Sequence, residues 1–122
     1  MKKKYDLAGQ VIGLAMKVHS AFGPGFLESV YQNALAYELV GAGYKVELEK
    51  DITVKYRGQV VGKFAADMFI NGWLVVENKA ILMLTKAHEV QLVNYLMATE
   101  LDEGLLLNFG AARLEYKKNF EH

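Results

Sequence analysis

Residues 64–79 of the chain read FAADMFINGWLVVENK. The alternating and apolar runs in this stretch predict two antiparallel β-strands joined by a hairpin at Asn71-Gly72. Three charged residues, Asp67, Glu77 and Lys79, lie where the core of a sheet prefers apolar side chains. Isolated charges in such positions are costly unless they are paired or bind a metal ion. This stretch therefore decides both the sheet and the candidate site.

The register of the hairpin decides whether the charged residues can meet. Glu77 and Lys79 are two residues apart on a strand and so face the same side of the sheet. A plain two-residue loop would pair Asp67 with Val76 and turn Asp67 away from Glu77. A shared site requires an odd-numbered loop, such as Ile70–Gly72 with Gly72 left-handed, or a bulge before Glu77.

Hydrophobic periodicity on either side of this stretch predicts the remaining elements. We expect helices over residues 5–22, 26–40 and about 86–100, the last capped by Thr85, and strands over residues 44–50, 52–57, 60–70, 73–79, 105–109 and 114–120. In the last helix, the inward stripe is predicted to be Val90, Val93, Leu96 and Met97. The result is one α/β (α+β) domain over residues 1–122 with the order α-α-β-β-β-β-α-β-β.

Composition limits the classes of function. A chain of 122 residues with 52% hydrophobic and 23% charged residues is typical of a folded domain. The 14 basic and 14 acidic residues give zero net charge, which argues against a tight non-specific nucleic-acid binder but allows a local basic groove. The chain has no cysteine, so disulfides and cysteine-bound zinc are excluded. No run approaches the ~20 apolar residues that span a bilayer, so we expect a cytoplasmic protein without a membrane partner.

Two carboxylates beside a lysine have a definite chemical use. Carboxylate oxygens suit Mg²⁺ or Mn²⁺, and a metal ion so held can activate water and stabilise charge on a phosphodiester. The lysine can orient that water or neutralise developing charge. The alternative is an ordinary ion pair at a strand end, either Glu77 with Lys79 or Asp67 with Lys63.

Two helices carry further candidate residues. His88, Gln91 and Tyr95 are spaced to share one helix face, which could lean over the strand end. The alternative is an exposed His88 and a core Tyr95. Glu28 and Tyr31 share a face after the Gly23-Pro24-Gly25 turn, although Glu28 could simply complement the helix dipole.

Four motifs in this order resemble the GxxExxY family, a branch of the PD-(D/E)xK nuclease superfamily. They are Gly25-Phe-Leu-Glu28-Ser-Val-Tyr31, the acid and ExK elements Ala66-Asp67 and Glu77-Asn78-Lys79, the QxxxY-like helix His88–Tyr95, and the closing strand Leu105–Gly110. The resemblance extends from about residue 7 to 118. Ala66 stands where the superfamily name has proline, and Asn78 is polar where an apolar residue is usual.

The resemblance implies a restriction-endonuclease-like core, with a mixed central sheet flanked by helices. It implies Asp67 and Glu77 as ligands of Mg²⁺ or Mn²⁺, the Asn78 carbonyl and Glu28 as further ligands, and Lys79 as the catalytic lysine. Gln91 would complete the catalytic set, and the substrate-positioning residues would be Tyr31, His88 and Tyr95.

The leading hypothesis is a metal-dependent nuclease that hydrolyses DNA or RNA phosphodiesters. Because the chain is small and neutral, a homodimer or an unidentified partner protein would supply additional binding surface. The alternative is a catalytically silent binding or assembly module with a nuclease fold. A small-molecule phosphohydrolase is a third hypothesis, which no glycine-rich phosphate cradle supports.

Overall fold

Three helices and five strands make up residues 6–120, the part of the chain that the computed structural model describes. In chain order they are α1 (Leu7–Phe22), α2 (Glu28–Gly41), β1 (Val46–Tyr56), β2 (Gln59–Ile70), β3 (Leu74–Lys79), α3 (Lys86–Thr99), β4 (Glu103–Asn108) and β5 (Glu115–Phe120). None of the helices in this range is long and apolar enough to cross a membrane.

The strands form one mixed sheet in the order β1-β2-β3-β4-β5. All neighbours are antiparallel except β3 and β4, which are parallel and are connected through α3. A parallel pair requires such a crossover, because the chain must return to the start of the sheet before the next strand begins. The expected fold class, a mixed central sheet flanked by helices, is confirmed.

The predicted division of the first strand is wrong. The segments 44–50 and 52–57 belong to one strand, β1, because Asp51 continues the ladder and pairs with Ala65. The charged side chains that interrupt the alternating pattern are tolerated, since β1 is an edge strand with exposed positions. Residues 6–120 therefore contain one strand fewer than predicted. Glu49, with a φ angle of 52°, distorts this strand locally without ending it.

The two faces of the sheet carry separate hydrophobic cores. Val76 of β3 packs into the core formed with α1 and α2, whereas its neighbour Val75 packs with Leu92 of α3. Side chains alternate between the faces along a strand. The odd-numbered residues of β3 therefore face α3, and the even-numbered residues face α1 and α2.

The predicted inward stripe of α3 is confirmed at Leu96 and is wrong at Val90 and Met97. The structure buries Leu92 and Leu96, while Val90 and Met97 are 46% and 60% exposed and Val93 is half-buried. Both stripes satisfy the helical spacing, so periodicity alone could not choose between them. Packing against the sheet buries the face of α3 that carries Leu92 and Leu96.

Candidate functional site

A three-residue loop joins β2 and β3. Ile70 pairs with Leu74, so the loop is Asn71–Trp73, and both Asn71 and Gly72 have positive φ angles, of 53° and 79°. The predicted odd-numbered loop with a left-handed Gly72 is confirmed, although the loop lies one residue later than the predicted example. This register aligns the two strand carboxylates instead of placing them on opposite faces.

The strands separate beyond this hairpin, and two carboxylates lie in the gap between them. Ladder pairing between β2 and β3 is present from the loop to Met68 and Val76. Past that point, Asp67 N donates to Glu77 Oε2 at 3.2 Å, and Asn78 N donates to Asp67 Oδ2 at 2.7 Å. Side-chain oxygens thus replace the backbone carbonyls that a continuing ladder would supply. We call Asp67 and Glu77 the acidic pair.

β2 changes face at the acidic pair. Ala66 packs with α3, whereas Met68 and Ile70 pack with α1 and α2, although all three are even-numbered. The change occurs at Asp67, and the register of β1 places the left-handed Glu49 directly opposite. The local distortion of both strands thus coincides with the point where the carboxylates enter the gap.

Burial and like charge act together on Glu77. Burial in the gap, followed by the negative charge of Asp67, raises the pKa of Glu77 to about 7. The N–H of Asp67 and the ammonium group of Lys79 act in the opposite direction but do not cancel the rise. Near neutral pH, Glu77 is therefore poised between its protonated and charged forms.

The environment of Asp67 is similarly short of positive charge. Burial raises the pKa of this carboxyl above its ordinary value, and the hydrogen bond from Asn78 N opposes that rise. The negative charges of Glu49 and Glu28 raise the pKa further, and Lys79 lowers it. Glu49 and Glu28 are therefore near enough to Asp67 for their negative charges to act on its carboxyl, and Lys79 is the basic side chain that opposes them.

Two residues of this site, Gln32 and Glu49, are absent from the sequence prediction. Asn78 Nδ2 donates to Gln32 Oε1 at 3.1 Å, and Gln32 Nε2 donates to Glu49 Oε2 at 2.9 Å. The spacing of Gln32, four residues after Glu28, was a usable signal, because it puts both on one helix face. Glu49 had no such signal, since only the pairing of β1 with β2 places it opposite Asp67.

Tyr31 lies in the core and is not in the predicted position to contact a substrate. Its ring is fully buried and stacks on Phe109 at 4.8 Å. Its hydroxyl donates to Gly23 O and accepts from Phe26 N, which fixes the turn before α2. Tyr31 therefore acts on the site through the turn that places Glu28, and it does not present its hydroxyl to a substrate in this conformation.

Lys79 ends β3 on the same face as Glu77. Its carbonyl accepts from Phe109 N at 2.8 Å, which ties its main chain to the segment after β4. Within residues 6–120, the ion pairs do not include Lys79, and Lys63 pairs with Asp51 at 3.8 Å. Neither of the alternative ion pairs, Glu77 with Lys79 or Asp67 with Lys63, is therefore present among the described residues.

The chain after Lys79 is held against the segment that follows β4. Asn108 Oδ1 accepts from Ile81 N at 2.9 Å, and Asn108 Nδ2 donates to Glu115 Oε1 at 2.9 Å. At Gly110, an added Cβ would lie 2.4 Å from Ile81 N, so two backbones are in direct contact there. This contact fixes the exit of the strand that carries Lys79.

The predicted polar face of α3 is divided between several roles. The His88 ring accepts from Thr85 N at 3.0 Å, which forms part of the predicted cap of α3. Tyr95 stacks on Phe64 at 4.1 Å and so belongs to the core, and Gln91 is exposed, with its Nε2 3.4 Å from the Tyr95 hydroxyl. Within residues 6–120, the hydrogen bonds of these three side chains do not reach the acidic pair.

The donor atoms suit a hard divalent cation with few protein ligands. Within residues 6–120, no three acidic or histidine side chains are close enough to form a metal cage. Mg²⁺ is commonly held by one or two carboxylates, with water and substrate phosphate completing its shell, and the acidic pair matches that number. Asn78 Oδ1 is buried with no hydrogen-bond partner among the described residues, so this strand end also has an unused acceptor.

Comparison with known proteins gives a family match over almost the whole chain. The model of the PD-(D/E)XK nuclease superfamily matches residues 5–119. The fold is similar to the crystal structure of SSO0001, with a TM-score of 0.60 and 23% sequence identity. That similarity covers 93% of this chain and 59% of the other, so the chain spans less than two thirds of that protein's length. None of the curated proteins compared with the chain matches it.

Proposed function

This chain belongs to the PD-(D/E)XK nuclease superfamily, and from that premise we propose that it is a metal-dependent nuclease that hydrolyses nucleic-acid phosphodiesters. We further place it in the GxxExxY branch, on the Gly25, Glu28 and Tyr31 spacing described above. A nucleic-acid substrate is consistent with what the superfamily implies in general.

The acidic pair is the observation that carries the proposal. Two carboxylates occupy the gap between separating strands, and burial raises the pKa of both. The negative charge of Asp67 raises the pKa of Glu77 further, and those of Glu49 and Glu28 raise the pKa of Asp67. Perturbed carboxyl groups of this kind are concentrated at functional sites. A divalent cation between the carboxylates would offset their negative charges. A sheet end with only a structural role would not require two partly buried carboxylates at this position.

Each residue has a proposed role. The oxygens of Asp67 and Glu77, with the Asn78 carbonyl, would hold Mg²⁺ or Mn²⁺. Glu28, predicted as a further ligand, is not close enough to form a three-carboxylate cage with them in this conformation, so it would contribute its negative charge to the site. Such an ion lowers the pKa of bound water and stabilises charge on a phosphodiester. Lys79 would orient the attacking water or neutralise charge that develops on the phosphate.

The residues of α3 and α2 would support these groups. Gln91 is exposed and free to contact a bound strand, while Tyr95 and His88 would hold the helix surface that carries it. Gln32 would keep Asn78 and Glu49 in place through its two hydrogen bonds. Its role is therefore to position the strand end and not to contact the reacting atoms.

The test of this function compares two lysines that lie on neighbouring strands. Lys79→Ala should abolish cleavage but leave metal binding largely intact, because the lysine acts on water or on charge and not on the ion. Lys63→Ala is the matched control, since Lys63 makes only a surface ion pair with Asp51. The assay follows labelled single- and double-stranded DNA and RNA in Mg²⁺ or Mn²⁺, with metal binding measured by titration calorimetry.

Two results would contradict the proposal. Equal cleavage by the wild type and Lys79→Ala would mean that the activity comes from another site or from a contaminant. No cleavage of any substrate by the wild type would favour the catalytically silent binding module.

A further inference from the structure

The turn between α1 and α2 presents two aromatic rings to solvent. Phe22 and Phe26 are 42% and 48% exposed, and we call these two residues the aromatic knuckle. Their ring centroids are 5.3 Å apart, and both rings make edge contacts with the buried Tyr31. Edge-to-face packing of this kind holds the rings in fixed orientations while leaving part of each accessible.

A chain of direct contacts joins the aromatic knuckle to the candidate site. Phe26 N donates to the Tyr31 hydroxyl at 3.1 Å, and the Tyr31 ring stacks on Phe109. Phe109 N in turn donates to the carbonyl of Lys79 at 2.8 Å. Glu28, whose charge acts on Asp67, follows the knuckle by two residues. The exposed rings are therefore held in a fixed position relative to Lys79 and Glu28 of the candidate site.

An open cavity adjoins the knuckle on its α1 side. It has a volume of about 670 Å³, and its lining includes Gly23 of the same turn, His19, Arg113 and Tyr116. This volume is within the range of small-ligand sites. The cavity shares Gly23 with the turn that carries the exposed rings, and the exposed Arg113 adds a basic residue to its lining.

The zero net charge of the chain and its exposed aromatic rings favour single-stranded over duplex nucleic acid at this turn. Binding to a duplex relies mainly on phosphate contacts from lysine and arginine, and this chain has zero net charge. Proteins that bind single strands combine stacking of unpaired bases on aromatic rings with basic side chains that contact the backbone. A base within a duplex is already stacked and offers no free face.

We propose that the aromatic knuckle stacks on an unpaired base, and that the adjoining cavity receives the backbone of the same nucleotide at Arg113. The inference rests on the proposed function and specifies its substrate as single-stranded or frayed nucleic acid. Stacking at the knuckle would place the strand beside Glu28 and the acidic pair.

The experiment measures binding separately from cleavage. Fluorescence anisotropy of a labelled oligothymidine and of a blunt duplex is followed in Ca²⁺, for the wild type, Phe26→Ala, Phe26→Trp and Arg113→Ala. Tyr37→Ala is the matched control, because Tyr37 is an α2 aromatic that is 79% exposed. Thermal melts of each variant verify that it folds, and cleavage is then assayed in Mg²⁺.

We expect the single strand to bind more tightly than the duplex. Phe26→Ala should weaken that binding on the order of tenfold, the usual effect of losing one stacked base. Phe26→Trp should retain binding, Arg113→Ala should weaken it and reduce its salt dependence, and Tyr37→Ala should bind like the wild type.

Several outcomes would overturn the inference. Phe26→Ala and Arg113→Ala could bind like the wild type, or the duplex could compete equally well. Sedimentation could instead show a wild-type dimer that Phe26→Ala converts to a monomer, which would make the knuckle an interface between copies. Cleavage that is unaffected by Phe26→Ala would overturn this inference alone, whereas knuckle-dependent binding without cleavage would overturn only the proposed nuclease activity.

Discussion

Glu77 lowers the stability of the folded chain as the pH rises. Its pKa is raised to about 7 in the fold from an ordinary value of 4.5, so the folded state retains a proton that the unfolded chain has lost. Stability therefore falls between these two pKa values, by up to about 3 kcal/mol. Glu77→Gln should remove this fall and make the protein more stable than the wild type at alkaline pH. Urea unfolding at about pH 5 and about pH 8 measures both effects.

Glu115 provides a control of opposite sign. Hydrogen bonds from Asn108 Nδ2 and Leu84 N hold the pKa of its carboxyl below the ordinary value. A carboxyl of this kind stabilises the fold above its unfolded pKa, and that contribution is lost as the pH falls. Glu115→Gln should therefore weaken the protein at neutral pH. If Glu77→Gln instead lowers stability at alkaline pH, as Glu115→Gln is expected to do at neutral pH, the fold does not disfavour the charged form of Glu77.

At the level of elements, the contact between the segments after β3 and β4 is sensitive to one methyl group. An added Cβ at Gly110 would lie 2.4 Å from both Ile81 N and Ile81 O, and backbone atoms cannot move aside cheaply. Gly110→Ala should lower stability by about 1–3 kcal/mol, the usual cost of overpacking. It should also reduce the proposed cleavage, because the displaced backbone follows Lys79. Thermal melts and initial cleavage rates measure the two effects.

Gly13 is the matched glycine for this comparison. It lies in α1, and an added Cβ there would have no heavy atom within 4 Å. Gly13→Ala should stabilise the protein slightly, because alanine loses less backbone entropy in a helix. Equal melting temperatures for the two variants would show that the Gly110 contact is not tight.

Local chemistry explains which elements could be predicted. Asn71-Gly72 predicts the hairpin because both residues tolerate positive φ angles, and the requirement that Asp67 face Glu77 then leads to the odd-numbered loop. Both statements depend on residues that are close in sequence. The Thr85 start of α3 is predictable for the same reason.

Tertiary packing explains what the sequence could not reveal. The apolar residues of α3 fit two helix faces, and only contact with the sheet selects Leu92 over Val90. Glu49 enters the site through strand pairing, and Tyr31 is buried because Phe109 arrives beside it from the far end of the chain. Each of these placements joins segments that are distant in sequence, so no local pattern encodes it.

At the level of the whole molecule, a divalent cation should stabilise the fold. A ligand that binds only the folded state adds RT ln(1 + [L]/Kd), which for ~10 mM Mg²⁺ and a Kd of about 1 mM is roughly 1.4 kcal/mol. For a chain of this size the melting temperature should rise on the order of 4–6 °C. Asp67→Asn should raise the metal-free melting temperature, because it removes repulsion, and should erase the further rise on adding Mg²⁺.

Thermal melts of the wild type and of Asp67→Asn, in Mg²⁺ and in chelator, distinguish a metal-binding role of Asp67 from a purely structural role. A structural carboxylate would behave in the reverse way, since its loss removes a hydrogen bond without relieving any repulsion. If Asp67→Asn lowers the metal-free melting temperature and the wild type does not respond to metal, Asp67 is a structural residue.

The topology of the sheet also predicts an order in which the site is assembled during folding. β2 and β3 are joined by three residues, and hairpins of this kind close in about 1–10 μs. β4 can pair with β3 only after residues 80–102 have crossed the sheet, a slower step because a longer segment must be ordered first. We therefore expect the carboxylates of Asp67 and Glu77 to meet before Phe109 anchors the strand that carries Lys79. A divalent cation would ease that early encounter, so the ion proposed for catalysis would also assist the folding of the nascent chain.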